Sequence, residues 1–289
     1  MTKRIQSVNF IELNLAILFI STSGALGRYI DLPIPITIGL RSLIGGIALY
    51  LFLRWKKISF YVEGRDRKTI FFGGLLLGLH WITYFYALRL SNVAIGMLSL
   101  FTYPAITAIL EPLFLKTKVL KIHLVLSVLV LVGIYFLVPD FDIQNDDFKA
   151  VGFGVFSALC YATRHIIMKS KINYYDGSLL MAYQLLIITV VLSPFAFFLD
   201  TSSIVDYLPP TILLALLTTA IGHTLFLHSL KHFSTVTASI VSCIQPVYGI
   251  IIGMIFLQEY PKITTIIGGT IIIFTVIIES LRVFKLNRV

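Results

Sequence analysis

Two copies of one pattern decide the fold of this chain. The segment ALRLSNVA at residues 87–94 leads to Pro104, and the segment SLKHFSTV at residues 229–236 leads to Pro246. A shift of 142 positions places the first proline on the second. Each copy lies between apolar runs that are long enough to cross a bilayer. Two halves that each contain an odd number of spans must face opposite ways in a membrane, so the pattern predicts an inverted repeat.

The composition of the whole chain agrees with a membrane location. Hydrophobic residues make up 57% of the chain and charged residues 13%, with a mean hydropathy of +0.92. A soluble domain carries roughly 25% charged residues, so this chain cannot cover its surface with polar groups. Open sheets are excluded because their unpaired backbone groups would find no partner in lipid. The composition therefore predicts an all-α integral membrane protein.

Ten apolar runs consume nearly the whole sequence, since a spanning helix needs about 20 residues. We predict ten transmembrane helices arranged as two inverted five-helix repeats, residues 1–138 and 150–289, separated by the acidic loop Pro139–Lys149. The predicted spans are residues 11–29, 35–53, 70–88, 93–115, 120–138, 150–168, 177–199, 209–229, 235–257 and 263–281.

The distribution of basic residues predicts the orientation. With a cytoplasmic N-terminus, 17 Lys and Arg residues fall in the cytoplasmic segments and 3 in the external ones. Cytoplasmic loops of membrane proteins carry such an excess of basic residues. We therefore expect a multi-pass protein of a bacterial inner membrane with both termini in the cytoplasm. The net charge of +9 then reflects topology and attraction to anionic lipid, and no basic face remains to bind nucleic acid.

The motifs of metal, cofactor and catalytic sites are absent from the sequence. Cys160 and Cys243 both lie inside predicted spans, and no cysteine or histidine cluster has the spacing of a zinc site. No phosphate-binding glycine loop, nucleophile elbow or paired carboxylates occur. We therefore expect no cofactor, no metal and no enzymatic activity.

At this point the chain resembles the EamA-type carriers, the ten-helix branch of the drug/metabolite transporter superfamily. The resemblance rests on the two five-helix halves, on Arg41 in the second span, on Pro104 and Pro246, and on Glu259 after the ninth span. The first half departs from the pattern, since residues 116–118 (KTK) stand where a glutamate is usual. The resemblance implies export or exchange of small metabolites, often amino acids, without ATP and in some relatives with protons.

Polar residues on the fourth and ninth spans suggest a pathway through the bundle. Tyr103, Thr107 and Glu111 recur every four residues and therefore share one helix face. The 142-residue shift places Tyr103 on Gln245 of the ninth span. We predict that Tyr103, Thr107 and Gln245 bind substrate. The alternative is a packing seam between helices.

Aromatic and histidine side chains near the bilayer midplane form the second candidate group. His80, Trp81 and Tyr84 lie on the third span, Tyr161 on the sixth and His223 on the eighth. Intramembrane histidines usually face the interior of a bundle. We predict that these five residues line a substrate cavity that would suit an apolar, aromatic or cationic group. A hydrogen-bonded structural role is the alternative for each histidine.

Four further ionisable residues are candidates for gating or proton coupling: Glu111, Arg164, Arg28 and Arg41. Glu111 and Arg164 have similar predicted depths and are expected to form an ion pair; a proton-accepting role or a helix-end role for Glu111 is the alternative. Arg28 and Arg41 have predicted positions in the outer parts of their spans. They either attract an anionic substrate or bind helix-end carbonyls and lipid, with Asp31 as a further partner for Arg28.

These expectations favour a secondary transporter that moves small organic metabolites by alternating access, with amino acids or related compounds first. Multidrug export and nucleotide-sugar or sugar-phosphate exchange are the alternatives within this class. A membrane-embedded scramblase or enzyme acting on lipid is the alternative from another class. The expected partners are a small-molecule substrate, membrane lipid and, if transport is coupled, protons; the sequence leaves the oligomeric state open.

Overall fold

The computed structural model describes residues 3–114, 121–137, 142–198, 201–233, 235, 238 and 241–286. Within these ranges the chain is helical and contains no strand. The α-helices are α1 Lys3–Tyr29, α2 Ile34–Trp55, α3 Gly64–Leu90, α4 Val93–Leu100, α5 Tyr103–Phe114, α6 Lys121–Leu137, α7 Asp146–Lys169, α8 Gly177–Leu192, α9 Thr201–Leu213, α10 Thr224–Ser229, α11 Gln245–Phe256 and α12 Ile263–Leu286. Residues Leu214–His223 form a π-helical segment that joins α9 to α10.

Long apolar helices dominate the described part of the chain. Seven helical stretches in it are long and apolar enough to cross a membrane. Three shorter apolar helices accompany them: Val128–Leu137, Ser242–Phe256 and Ile263–Thr275. The prediction of an all-helical, multi-pass membrane protein is therefore supported. Residues 115–120 and 138–141, where two predicted spans and the first repeat end, lie outside the described residues.

Helix boundaries follow capping chemistry as well as hydrophobicity. Helix α7 begins at Asp146, four residues before the predicted span, because the Asn145 side chain accepts a hydrogen bond from the backbone N–H of Asp147. Acidic residues at the first turn also suit the positive end of the helix dipole. The predicted span was based on apolar residues alone, so it began at residue 150 and left out this polar first turn.

Two helices restart at positions that the 142-residue shift relates. Helix α5 begins at Tyr103 after a turn at residues 101–102, with Pro104 as its second residue. Helix α11 begins at Gln245 after a short 3-10 turn, with Pro246 as its second residue. Proline fits the first turn of a helix because it has no N–H to donate. The repeated sequence pattern therefore produces the same local break twice.

The core packs seven elements around one central region. Helix α7 packs against α3, α4 and α5, while α1 packs against the π-helical segment and α11. A π-helical segment widens the helix locally and often occurs at functional sites. Close approach depends on small residues such as Gly154 of α7, which lies against Ser99 of α4.

Candidate functional site

A small cavity with an accessible volume of about 10 Å³, room for about one water molecule, lies among the buried side chains of the helix bundle. Its wall comes from α1, α3, the end of α4, α7, the π-helical segment and α11. The lining residues are Ile20, Ser23, His80, Trp81, Tyr84, Leu100, Phe101, Tyr161, His223 and Gln245. Six of the eight residues predicted to bind substrate, drawn from four parts of the sequence, thus surround one cavity. Their role in binding substrate remains a prediction.

Stacked rings form one side of this cavity. The His80 ring stacks on Tyr161 with their centroids 4.1 Å apart and an interplanar angle of 17°. Tyr161 contacts His165 at 4.0 Å, and His165 stacks on Phe226 at 4.8 Å. Such a row of rings holds the wall rigid and presents flat surfaces to a ligand.

A hydrogen-bond pair fixes the orientation of His80. The Ser157 hydroxyl donates to the His80 carbonyl oxygen at 2.8 Å, and its oxygen lies 2.7 Å from His80 Nδ1. Because a hydroxyl has a single proton to donate, Nδ1 must carry the proton of the second hydrogen bond. The other ring nitrogen, Nε2, is therefore the atom of His80 that can bind a ligand.

Tyr103 and Thr107 are buried but are not among the residues that line the cavity. The Tyr103 ring packs on Phe101 at 5.4 Å and on Tyr161 at 5.1 Å, and so stands behind the wall. The Thr107 hydroxyl donates to the carbonyl of Tyr103 at 2.8 Å, within its own helix. Both residues belong to α5 and share one helix face as predicted, but that face does not contribute to the cavity lining.

Arg41 lies in the interior of the protein. It is fully buried, and its Nε donates to Thr219 Oγ1 at 2.5 Å. One terminal nitrogen donates to Thr218 Oγ1 at 3.2 Å. The guanidinium carbon lies 3.9 Å from the centroid of Trp81, in a cation–π contact. The alternative of carbonyl or lipid contacts at a helix end is therefore wrong for Arg41.

Arg164 has a different partner from the predicted one. Its Nε donates to Gln184 Oε1 of α8 at 2.8 Å, and one terminal nitrogen lies 3.6 Å from the sulfur of Met181. Glu111 is partly exposed and interacts electrostatically with Lys169. Glu111 and Arg164 have similar predicted depths but are not partners, because side-chain pairing also depends on which helix faces meet.

Four residues close one end of the bundle, and we call this group the Arg28–Glu259 latch. Arg28 Nε lies 2.9 Å from Glu259 Oε1, and the other carboxylate oxygen accepts from the backbone N–H of Val93 at 2.8 Å. Arg28 also approaches the carbonyl of Arg89 at 3.4 Å. The partner of Arg28 is thus Glu259 and not Asp31. The latch joins the end of α1 to the α3–α4 connection and to the segment after α11.

The opposite end is tied by separate polar contacts. Lys171 Nζ lies 2.8 Å from Asp66 Oδ1, and the Tyr175 hydroxyl donates to Asp66 Oδ2 at 2.7 Å. His228 Nδ1 lies 2.6 Å from Glu12 Oε1. Polar contacts therefore tie the bundle at both ends.

Comparison with known proteins assigns this arrangement to a family. The profile of the EamA-like transporter family matches residues 11–138 and 148–281. The chain belongs to the EamA-like transporter family. It is a multi-pass membrane transporter, and membership of this family points away from an enzyme.

Individual relatives of this EamA-like chain are distant. It is 23% identical over 256 residues to the pseudopaline exporter CntI of Pseudomonas aeruginosa (strain UCBPP-PA14), covering 86% of this chain and 87% of that protein. It is 22% identical over 250 residues to the uncharacterized transporter YwfM of Bacillus subtilis (strain 168), covering 85% of this chain and 84% of that protein. The superposition on a solved crystal structure of 15% sequence identity covers 97% of this chain and 99% of the chain in that structure, with a TM-score of 0.73. That structural likeness concerns the fold alone.

Sequence reasoning missed several residues that position this site. Gln184, Thr218 and Ser157 were not predicted as site residues, yet they hold Arg164, Arg41 and His80 in place. Gln184 carried a usable signal, because a buried amide in a strongly apolar span is costly unless it has a partner. Thr218 and Ser157 carried little signal, since hydroxyl residues often bind their own helix backbone.

Proposed function

We propose that this protein is a secondary transporter of the bacterial inner membrane that exports or exchanges small organic metabolites, amino acids or related compounds first, by alternating access. The observation that carries this proposal is the small central cavity, walled by aromatic and histidine side chains, in a bundle that polar contacts tie at both ends. A carrier needs a site that opens to one side at a time, and a small central cavity between two tied ends suits that cycle.

The proposed topology is ten spans in two inverted five-helix repeats, residues 1–138 and 150–289, with both termini cytoplasmic. The matched restarts at Tyr103 and Gln245 support the repeat. The excess of 17 to 3 basic residues supports the orientation. In this orientation the Arg28–Glu259 latch closes the external end and Asp66 belongs to the cytoplasmic end.

The roles within the cycle follow from position. The cavity residues His80, Trp81, Tyr84, Tyr161, His223 and Gln245 contact the substrate, while Tyr103 and Thr107 support the wall. Arg28 acts as part of the external gate. Glu111 lies near Lys169, towards the proposed cytoplasmic end, where proton binding would couple to opening of that end.

Counterflow in proteoliposomes tests the proposed function. Vesicles are loaded with one unlabelled amino acid or related metabolite at a time, and saturable uptake of the labelled compound is measured. We expect His80→Ala to reduce uptake about tenfold, because it removes the stacking partner of Tyr161 and a ligand-binding nitrogen.

The matched control is His232→Ala, which removes an exposed histidine. Reaction of a cysteine at Gln144 with an impermeant reagent gives the sidedness of the inserted protein. An equal loss of uptake in both histidine variants would contradict the cavity assignment. Absence of saturable flux for every metabolite, together with movement of labelled lipid between leaflets, would overturn the proposal of a carrier.

Glu259→Gln is expected to shift the protein towards an externally open state. The Arg28–Glu259 ion pair is about one-third exposed on the arginine side, so it contributes about 1 kcal/mol at most. Losing that contribution changes the ratio of the two states about fivefold. With Cys160 and Cys243 replaced by alanine, a cysteine at Ser23 of the cavity should react about five times faster with an external impermeant reagent.

The control for this variant is Glu63→Gln, which breaks an exposed ion pair with Arg65. That variant should leave the reaction rate at Ser23 unchanged. A rate at Ser23 that does not respond to Glu259→Gln would show that the latch does not govern external opening.

A further inference from the structure

Two arginine side chains are fully buried in this protein and have no acidic partner among the residues that the structure describes. Arg41 and Arg164 are both 0% exposed. A guanidinium group stays protonated at any pH at which the protein is folded. Within the described part of the chain, neither group has a carboxylate in ion-pair contact. Their hydrogen-bond partners are neutral, namely two hydroxyls for Arg41, and an amide and a thioether for Arg164.

Each guanidinium also retains unused hydrogen-bonding capacity. The terminal nitrogen Nη1 of Arg41 has no hydrogen-bond partner among the described residues, and the same holds for Nη1 of Arg164. Buried charges in proteins are normally paired, and buried donors are normally bonded. These two buried charges, among nine buried side-chain atoms that have no partner in the described residues, point to a partner that is not part of the chain.

Both charges act on the central cavity. Trp81 lines the cavity on one side and carries Arg41 on its face at 3.9 Å. His80 and Tyr161, which also line the cavity, lie within electrostatic range of both arginines. Charges act over longer distances in a buried site than in water, because the surroundings screen them poorly. The potential in the cavity is therefore positive.

The other groups around the cavity do not reverse this sign. His80, His165 and His223 are each neutral or positive, and never negative. Glu111 interacts electrostatically with Lys169 and is not among the residues that line the cavity. Aromatic rings alone would favour a bound cation. The positive charges of Arg41 and Arg164 behind these rings disfavour a cation in the cavity.

We propose that the cavity binds a small organic anion, whose carboxylate or phosphate oxygens provide the negative charge that Arg41 and Arg164 lack. This inference rests on the proposed function and narrows its substrate class. The aromatic rings hold the organic body of the ligand, and the accessible volume of about 10 Å³ must widen when the transporter opens to admit it. In this assignment the arginines determine specificity for charge, and the rings determine specificity for shape.

Matched pairs of ligands that differ only in charge test the assignment by thermal stabilisation of the purified protein. The pairs are L-phenylalanine with L-phenylalaninamide and benzoate with benzamide, and phenyl phosphate is the phosphate probe. We expect the anionic or zwitterionic member to stabilise the protein and the amide not to. Loss of one of the two positive charges should weaken acid binding about ten- to a hundredfold in Arg41→Gln and in Arg164→Gln.

Three variants control for folding and for charge in general. Arg54→Gln removes an exposed arginine from the same helix as Arg41 and should bind acids normally. Arg41→Lys keeps the charge and should retain part of the affinity. If Arg41→Gln does not fold, Thr219→Val keeps the charge while removing one hydrogen bond of Arg41, and it should weaken acid binding without loss of the folded protein.

A flux measurement decides the case when no probe binds. Proteoliposomes are loaded with a soluble small-molecule extract, and the compounds that leave through the protein are identified by mass spectrometry. Export of carboxylates or phosphates supports the inference. Whether carboxylates or phosphates predominate among the exported compounds shows which of the two anionic groups the cavity prefers. Export confined to compounds without an anionic group overturns it and leaves the proposed function intact. No protein-dependent export at all overturns both.

Discussion

Replacement of Gln184 by leucine is expected to lower the free energy of unfolding by about 3 kcal/mol. Gln184 Oε1 accepts the hydrogen bond from Arg164 Nε at 2.8 Å, and Arg164 is fully buried. Leucine fills a similar volume but leaves the charged guanidinium without its oxygen partner. Removing one partner of a buried charged group costs roughly this much. Equilibrium unfolding of the purified protein in mixed micelles measures the change.

A second substitution separates loss of a partner from loss of packing. In the double variant Gln184→Leu with Arg164→Leu the charge is gone, so we expect most of the lost stability to return. Gln144→Leu, at an exposed position, is the control and should change the stability by less than about 0.5 kcal/mol. If Glu111→Gln, and not Gln184→Leu, were the variant rescued by removal of Arg164, the originally predicted ion pair would be the correct one.

The helical fold was predictable because lipid imposes strict rules on sequence. The length of the apolar runs located the long helices α1 to α3, α7 and α8, since backbone groups in lipid must bond within each helix. The prolines at 104 and 246 marked the two restarts. The polar first turn of α7 and the π-helical segment were not predictable in this way, because capping and helix widening depend on individual side chains.

The cavity was partly predictable for a related reason. Helical periodicity assigned His80 and Tyr84 to one face, and inward-facing histidines are the rule in membranes. Contacts between helices were not predictable, as the partner of Arg28 shows: Glu259 lies 231 positions further along the chain. Such pairs depend on the depth and rotation of two helices together, which periodicity within one helix does not determine.

Gly154→Ala is expected to lower the free energy of unfolding by about 2 kcal/mol, in the range for overpacked cores. A Cβ atom at this position would lie 1.9 Å from Ser99 Oγ and 2.6 Å from Ser99 Cβ. A change of the Ser99 rotamer moves Oγ but not Cβ, so α4 must shift away from α7. Because Leu100 and Phe101 follow Ser99 and line the cavity, we also expect a lower rate of substrate counterflow.

Gly152 of the same helix provides the matched control, because a Cβ there would meet nothing within 4 Å. Gly152→Ala should leave counterflow unchanged and raise stability by about 0.5 kcal/mol, since alanine favours a helix over glycine. Adding Ser99→Gly to Gly154→Ala removes the clashing atoms and should restore most of both losses. If Gly154→Ala were tolerated as well as Gly152→Ala, α4 and α7 would not be in close contact at this level. The wall formed by Leu100 and Phe101 would then have to lie elsewhere.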